Sequence, residues 1–362
     1  MLRCPDAPAH EVCSGQESSR AGSTKSLPRV FTIVLNWNGW KDSIECLESN
    51  YRSSYREFEV VFVDNASTDG SLDEIRRWAR AKNVSLKTEI SLAGRGAATC
   101  PASSFEPGGL TVIKTSENLG FSGGNNRGIE YALARGADLI FMLNNDIVVE
   151  ERTLESLVRA ILSRDNMGAV FPLVLGRRGE VQVPVYLRPP QTFWEVLLAS
   201  NLPGSLLPRY RYRNYLRRRN PYSGYVYDRL IAVPNIAIAA GALFRRELFQ
   251  EVGLLDENLF MSYEEDVLMQ KLRGTRWVVC MEPRARLVHK GGVDSSKHPP
   301  AFLHRKRVCG EMYYLRRYMK LPSWQRGVVK LLRVGEYLYF SLTKSPDYRT
   351  SLPEFSREYV WG

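Results

Sequence analysis

Short, nearly continuous apolar runs rich in β-branched residues punctuate the chain. VFTIVL (30–35) and FEVVFV (58–63) lack the polar alternation of a half-exposed strand and predict strands buried on both faces. TVIK (111–114), LIFML (139–143) and WVVCM (277–281) read the same way, and AIAAGALF (237–244) resumes the pattern later in the chain. Between these runs apolar residues recur at helical spacing: Trp40, Ile44 and Leu47; Leu72, Ile75 and Ala79; Ile129 and Leu133; Leu154, Leu157, Val158 and Ile161. Ser71 and Glu74 form a capping-box pattern at the start of the second helix. A further helix is predicted near Val267 to Leu272. Strand and helix in alternation predict parallel β-α-β units with right-handed crossovers.

Three stretches break the rhythm. Residues 1–28 are rich in Ser, Ala, Pro and Gly and predict a disordered leader. Residues 85–110 include SLAGRGAATCPASSFEPGG and predict a loop insertion. Residues 176–232 hold RYRYRNYLRRRNPYSGYVYD, in which arginines and tyrosines interleave. Beyond Lys290 the chain reads helical, basic and aromatic. The expected organisation is therefore an α/β domain over 29–295, with insertions at 85–110 and 176–232, and a helical basic extension over 296–362.

Composition narrows the classes of function. The 362 residues are 44% hydrophobic, which excludes wholesale disorder. The net charge of +11 predicts a polyanionic partner: nucleic acid, an acidic membrane face or a phosphorylated small molecule. No run reaches the roughly 20 apolar residues of a spanning helix, and the N-terminus lacks a signal-like apolar run, so a cytoplasmic chain is expected. The six cysteines show no C-x-x-C spacing, which predicts reduced thiols.

Candidate chemistry gathers where the buried strands end. Asn36, Asn38 and Gly39 follow the first strand, Asp64, Asn65 and Asp69 the second, and Asn144, Asn145 and Asp146 the LIFML run. Each alone reads as a turn or a cap. Three on one sheet edge predict a polar ligand site, because open α/β sheets bind ligands beyond the carboxyl ends of their strands. A carboxylate at Asp146, between apolar segments, needs a cation or several donors, and hard divalent cations take oxygen ligands. Glu264, Glu265 and Asp266 repel one another, which raises at least one pKa and suits a general base; the plainer reading is an acidic first helical turn. His289 closes a predicted strand and can complete a metal site or serve as a hydrogen-bonded structural residue. NLGFSGGNNRG (118–128) opens a helix of the kind that binds phosphate. It is neither G-x-G-x-x-G nor a P-loop.

NWNG (36–39), VDNASTDGS (63–71), NLGFSGGNN (118–126), LNND (143–146) and the acidic triplet followed by VHKGG (288–292) together resemble the family-2 glycosyltransferases, in that family's order over about residues 30–292. The NLGFSGGNN form looks most like the rhamnosyltransferase-type branch. The resemblance implies a GT-A fold: α/β, Rossmann-like, with a mixed, mainly parallel sheet flanked by helices. It also implies an inverting, metal-dependent transfer of a sugar from a nucleotide-diphosphate donor to a glycan or lipid-linked hydroxyl.

By the same resemblance Asn36, Asn38, Asp64, Asn65, Asn118, Gly120, Asn125, Asn144 and Asn145 line the nucleotide-sugar pocket. Asp146 and His289 hold Mg²⁺ or Mn²⁺, and the base lies in the triplet, with Asp266 favoured over Glu265 and then Glu264. Two departures from the family pattern stand out. Asn144 replaces the first acid of the metal motif, and Leu268 stands where a further acid is usual, so the register of the base stays open. Arg213, Arg217 and Arg218 are expected to meet an anionic acceptor or membrane surface, as is the amphipathic tail. A nucleotidyltransferase on a related fold and a basic nucleic-acid-binding protein are the competing readings. The second leaves the acids at the strand ends unexplained, so no nucleic-acid partner is expected.

Overall fold

A computed structural model describes residues 26–92, 104–182, 192–198, 228–233, 241–291 and 298–360. The parallel half of the sheet is built from β1 (Val30–Asn36), β2 (Phe58–Asp64), β3 (Leu86–Leu92), β4 (Leu110–Thr115) and β5 (Leu139–Asn144). The other half contains β6 (Ile147–Val149), β7 (Met167–Leu175), β8 (Ile231–Ala232), β9 (Ala242–Arg245) and β10 (Val278–His289). The strand order is β3-β4-β2-β1-β5-β9-β7-β10-β6, with β8 on β10. β9 runs antiparallel between β5 and β7, so the sheet is mixed.

The order places a switch point at β1, because β2 pairs on one side and β5 on the other. Register then aligns the chemistry: Asn36 lies opposite Asp64, and Leu35 opposite Asn144. Such a reversal leaves a crevice at the carboxyl ends of the strands.

The helices of this domain are α1 (Trp40–Tyr51), α2 (Ser71–Ala81), α3 (Gly120–Ala134), α4 (Thr153–Leu162), α5 (Phe193–Leu198), α6 (Arg246–Val252) and α7 (Glu264–Leu272). The NLGFSGG run is itself the first part of α3, and its glycines serve packing. A Cβ at Gly128 would stand 2.6 Å from Ile33 Cγ2 and one at Gly124 2.5 Å from Leu35 Cδ1, so only glycine lets α3 lie this close to β1.

Two expectations are corrected here. The 85–110 stretch is not all loop, since β3 forms the sheet edge; its exposed Leu86, Glu89 and Ser91 leave it half wet, which hides it from a search for buried runs. Ser71 does begin α2, but it is the first helical residue. The cap position belongs to Gly70 at φ 79°, and the Asp69 carboxylate accepts the Ser71 N–H at 3.0 Å.

The extension follows as α8 (Pro300–Arg317), α9 (Ser323–Thr343), α10 (Asp347–Thr350), α11 (Leu352–Phe355) and a π-helical turn, Ser356–Val360. Phe193, Tyr263, Val267, Tyr314, Leu315 and Val329 share a buried cluster, so α5, α7, α8 and α9 form one packed unit. Among the described residues no helix is long and apolar enough to cross a membrane.

Candidate active site

Where β1 and β2 end, four buried polar side chains close on one another. The Asn36 amide donates to Asp64 Oδ1 and to Ser67 Oγ, each at 3.0 Å. Its carbonyl accepts the Ser43 hydroxyl at 2.8 Å and the Asn145 amide at 3.1 Å. Asn145 also reaches Ser43 Oγ at 3.1 Å and the Gly39 carbonyl at 3.3 Å. Asp64 Oδ2 accepts the Ser67 N–H at 3.2 Å. A network satisfied at this depth is rigid, which suits the floor of a pocket. Asn36, Asp64 and Asn145 thus hold the floor together, whereas Asn38 and Asn144 are half-exposed. Asn38 stands at φ 51° and accepts the Thr68 N–H at 2.7 Å.

A second cluster fixes α3. The Asn65 amide donates to Asn118 Oδ1 at 2.9 Å and to the Gly120 carbonyl at 3.1 Å, and its own oxygen accepts the Leu119 N–H at 3.0 Å. Gly120 N–H is taken by Asn118 Oδ1 at 2.9 Å and Phe121 N–H by the Phe260 carbonyl at 2.8 Å. The expected phosphate cradle at this helix start is therefore corrected: its leading donors are already bonded to protein. Gly120 is required for another reason, since at φ 72° a Cβ would collide with the Phe260 backbone. Asn125 turns back to the Phe121 carbonyl at 3.0 Å. Asn126 exchanges hydrogen bonds with the Leu255 backbone at 2.9 and 3.0 Å, anchoring the loop that leads to the acidic triplet.

Asp146 and His289 meet, although β5 and β10 lie far apart in sequence. Their contact, Nε2 to Oδ2, measures 3.4 Å. The antiparallel β6–β10 pairing produces it by placing His289 opposite Ile147. His289 Nδ1 lies 3.3 Å from Gln182 Oε1, and the Gln182 amide donates to the His289 carbonyl at 3.3 Å. Lys290, next in the chain, is gripped by Asp42 at 2.5 Å and Glu45 at 2.7 Å on α1, which holds the end of β10 to the first helix. The second Asp146 oxygen, Oδ1, is buried with no hydrogen-bond partner. An ionised carboxylate oxygen in that state is costly unless a cation supplies the missing contact. A carboxylate and an imidazole fit a divalent cation that takes its remaining ligands from water and a diphosphate. Among the described residues no group of three or more His, Cys, Asp or Glu is arranged to hold a metal by itself.

The acidic triplet is the first turn of α7, so both sequence readings of it describe the same residues. Ser262 at φ 70° and Tyr263 at φ 72° precede it, two successive left-handed non-glycine residues. Glu264 and Asp266 are buried, and Glu265 is half-exposed. Burial, with the charge of Glu265 next, pushes the Glu264 carboxyl up to about 8. Its Oε1 has no partner. Aromatic stacking brings this loop towards the first strand: Trp37 stacks on His298 with centroids 4.0 Å apart, and His298 stands edge-on to Phe260 at 6.4 Å.

Two participants carried no signal in the sequence. Gln182 lies in a segment without periodicity. Glu311 reaches Tyr263 from the extension, and nothing in the spacing of α8 marks it. Arg213, Arg217 and Arg218 lie outside the described residues.

Comparison with known proteins places the chain in a family. The family model for glycosyl transferase family 2 matches residues 32–253, more than half of the chain; the triplet and His289 lie beyond the match. The low-salt glycan biosynthesis hexosyltransferase Agl10 of Haloferax volcanii is 23% identical over 274 residues, covering 75% of this chain and 70% of that protein. Among solved structures, the mannosyltransferase PcManGT from Pyrobaculum calidifontis in complex with GDP-Man and Mn²⁺ superposes with a TM-score of 0.50 at 16% identity, covering 94% of this chain and 82% of that one. GalNAc-T7 with UDP, GalNAc and Mn²⁺ gives a TM-score of 0.51 at 15% identity, covering 92% of this chain and 57% of that one. These two similarities show the GT-A fold. With the family model spanning the switch-point half of the sheet, the chain belongs to glycosyl transferase family 2 and is a glycosyltransferase.

Proposed function

We propose that this enzyme moves a hexose, rhamnose being the candidate from the NLGFSGGNN motif, from a nucleotide-diphosphate donor to a hydroxyl of a glycan or lipid-linked acceptor, with inversion at the anomeric carbon. The observation that carries the reading is the meeting of Asp146 and His289 at 3.4 Å, with a buried, unpartnered carboxylate oxygen beside them. Asp146 and His289 would hold Mg²⁺ or Mn²⁺, the ion present with the sugar nucleotide or nucleotide in both structural relatives. Such an ion offsets the charge of a departing diphosphate.

The protein's own groups supply the rest. Asp64 and Asn36 fix the floor on which the nucleoside sits, and the half-exposed Asn38 and Asn144 face the ligand. Asn144, an amide where the family has an acid, offers a donor to ribose or phosphate. The base must be ionised at neutral pH. Glu264, raised to about 8, is mostly protonated there and so is a poor base. Asp266, buried two residues further along the same first turn, takes the proton of the acceptor hydroxyl, and Glu265 is the second candidate. The acceptor oxygen attacks the anomeric carbon from the face opposite the leaving diphosphate. One carboxylate and one displacement give inversion, and general-base help of this kind is worth about 10²–10⁴-fold. Family membership favours this reading over nucleotidyl transfer and over nucleic-acid binding.

A panel of nucleotide sugars, screened for release of nucleoside diphosphate with Mg²⁺ or Mn²⁺, tests the reading. Release from one donor that is abolished by EDTA and by Asp146→Ala is expected. Release that persists unchanged under both would overturn the metal assignment.

A further inference from the structure

Helix α9 exposes a continuous apolar stripe to water. At 3.6 residues per turn, Trp324, Val328, Leu331, Leu338 and Leu342 fall in one stripe along its whole length, with Gly335 between them. The stripe faces outward: Leu331 is 75% exposed, Leu342 73% and Trp324 63%. The opposite face, turned to the protein, buries Val329 and Tyr337 together with Arg333 and Glu336, the last two joined at 2.9 Å. A soluble helix ordinarily turns polar residues outward. Trp194 of α5, 67% exposed, extends the patch, because Phe193 packs edge-on to both Trp194 and Trp324. Exposed apolar surface this continuous marks a contact site.

We propose that this face lies on an anionic lipid bilayer, with the stripe entering the headgroup region and the flanking cations meeting the lipid phosphates. Charge selects this occupant. Arg316, Arg317 and Lys320 are exposed just before α9, and Lys344 and Arg349 are exposed just after it. Arg349 lies over the last turn, its Nε donating to the Ser341 carbonyl at 2.6 Å beside Leu342. Cations therefore stand at both ends of the stripe. Two copies paired along α9, parallel or antiparallel, would set cation against cation, whereas an anionic surface answers both ends at once. Exposed indoles at one end match the preference of tryptophan for the membrane interface. The inference depends neither on the donor sugar nor on the metal.

Flotation with phosphatidylcholine vesicles, with and without phosphatidylglycerol, tests it on the full chain. The wild-type protein is expected to float with the anionic vesicles only. Leu331→Glu/Leu338→Glu alters exposed side chains, so it should keep the wild-type melting temperature while its partitioning falls at least about tenfold. Arg316→Gln/Arg317→Gln/Lys320→Gln leaves the stripe intact and should weaken binding and flatten its salt dependence. Failure of the wild-type protein to float with either vesicle, or equal flotation of the double variant, overturns the proposal. So does a wild-type dimer in sedimentation that the double variant converts to monomer, which would assign the face to a second copy.

Discussion

Tyr263 donates its phenolic hydrogen to Glu311 across 2.9 Å, tying the residue that precedes the acidic triplet to the C-terminal extension. Glu311 in turn accepts Arg333 Nε at 2.7 Å and Nη2 at 2.9 Å, and Arg333 also reaches the Val196 carbonyl at 3.0 Å. The left-handed backbone at Ser262 and Tyr263 costs about 1–3 kcal/mol per residue and persists only where its surroundings impose it. The extension supplies that constraint at Tyr263, the residue before the triplet.

Removing one member of a buried ion pair leaves an uncompensated charge. Arg333→Met should therefore destabilise the protein by about 3–5 kcal/mol in urea unfolding. Tyr263→Phe leaves the ion pair in place and should cost only about 1 kcal/mol. If the network positions the base, Tyr263→Phe lowers kcat while the donor KM stays near wild type. A parallel loss in neither parameter would mean that the network serves stability alone.

Gln182 is expected to act through His289, whose ring it orients at 3.3 Å. Partners of a metal-ligating histidine typically change metal affinity about 10–100-fold when removed. Gln182→Ala should raise the Mn²⁺ concentration for half-maximal activity by that factor and leave the rate at saturating metal nearly unchanged. An unaltered metal titration would separate Gln182 from the site.

β1, β2, β4 and β5 were legible because both of their faces are buried, which leaves no polar alternation to confuse the pattern; β7, equally buried, was not read as a strand, and its MGAVFPLVL run carries Pro172. β3 was not, since its outer face is wet and its inner residues number too few to make an apolar run. The polar ends of β1, β2 and β5 were legible as a cluster because the parallel register aligns them. The contact of Asp146 with His289 follows from β6 folding back antiparallel on β10, a pairing that local sequence does not encode. Asn36 and Asn145 could be read as members of a polar site, but not as partners: only three-dimensional contact shows the Asn145 amide donating to the Asn36 carbonyl. α9 could be read as part of an amphipathic tail, but not the burial of Arg333 on its inner face, because that depends on Glu311 from α8.

His304 gives the extension an acid-sensitive point. Its ring is buried with neither nitrogen hydrogen-bonded and packs against Tyr337, Phe340 and Tyr348. Burial, then the charge of Arg307, lowers its pKa from the usual 6.5 to about 4. The unfolded chain binds a proton there below about 6.5 and the folded one only near 4, so stability is full above 6.5 and falls as pH drops through that window. The slope from this one group is about 1.4 kcal/mol per pH unit. His304→Phe should flatten the dependence of melting temperature on pH between those values, and an unchanged slope would show that the histidine is hydrated.

Glu264 works in the opposite direction and separates two roles for the triplet. Its carboxyl titrates near 8 when folded and at 4.5 when unfolded, so between these values the folded chain holds a proton that the unfolded one has lost. Stability therefore decreases as pH rises through that window, by about 1.4 kcal/mol per unit at most. Glu264→Gln keeps the neutral shape and removes the titration, so the variant should melt higher than wild type at pH 7 and lose this slope. Activity gives the second readout. If Asp266 is the base, Glu264→Gln retains most of kcat, and wild-type kcat shows no ascending limb near pH 8, whereas Asp266→Asn loses about 10²-fold or more. If Glu264 itself takes the proton, wild-type kcat climbs towards pH 8 as the carboxyl ionises, and the Gln variant is the dead one. The pH profile of kcat for the wild type and these two variants thus decides which acid on the first turn of α7 deprotonates the acceptor.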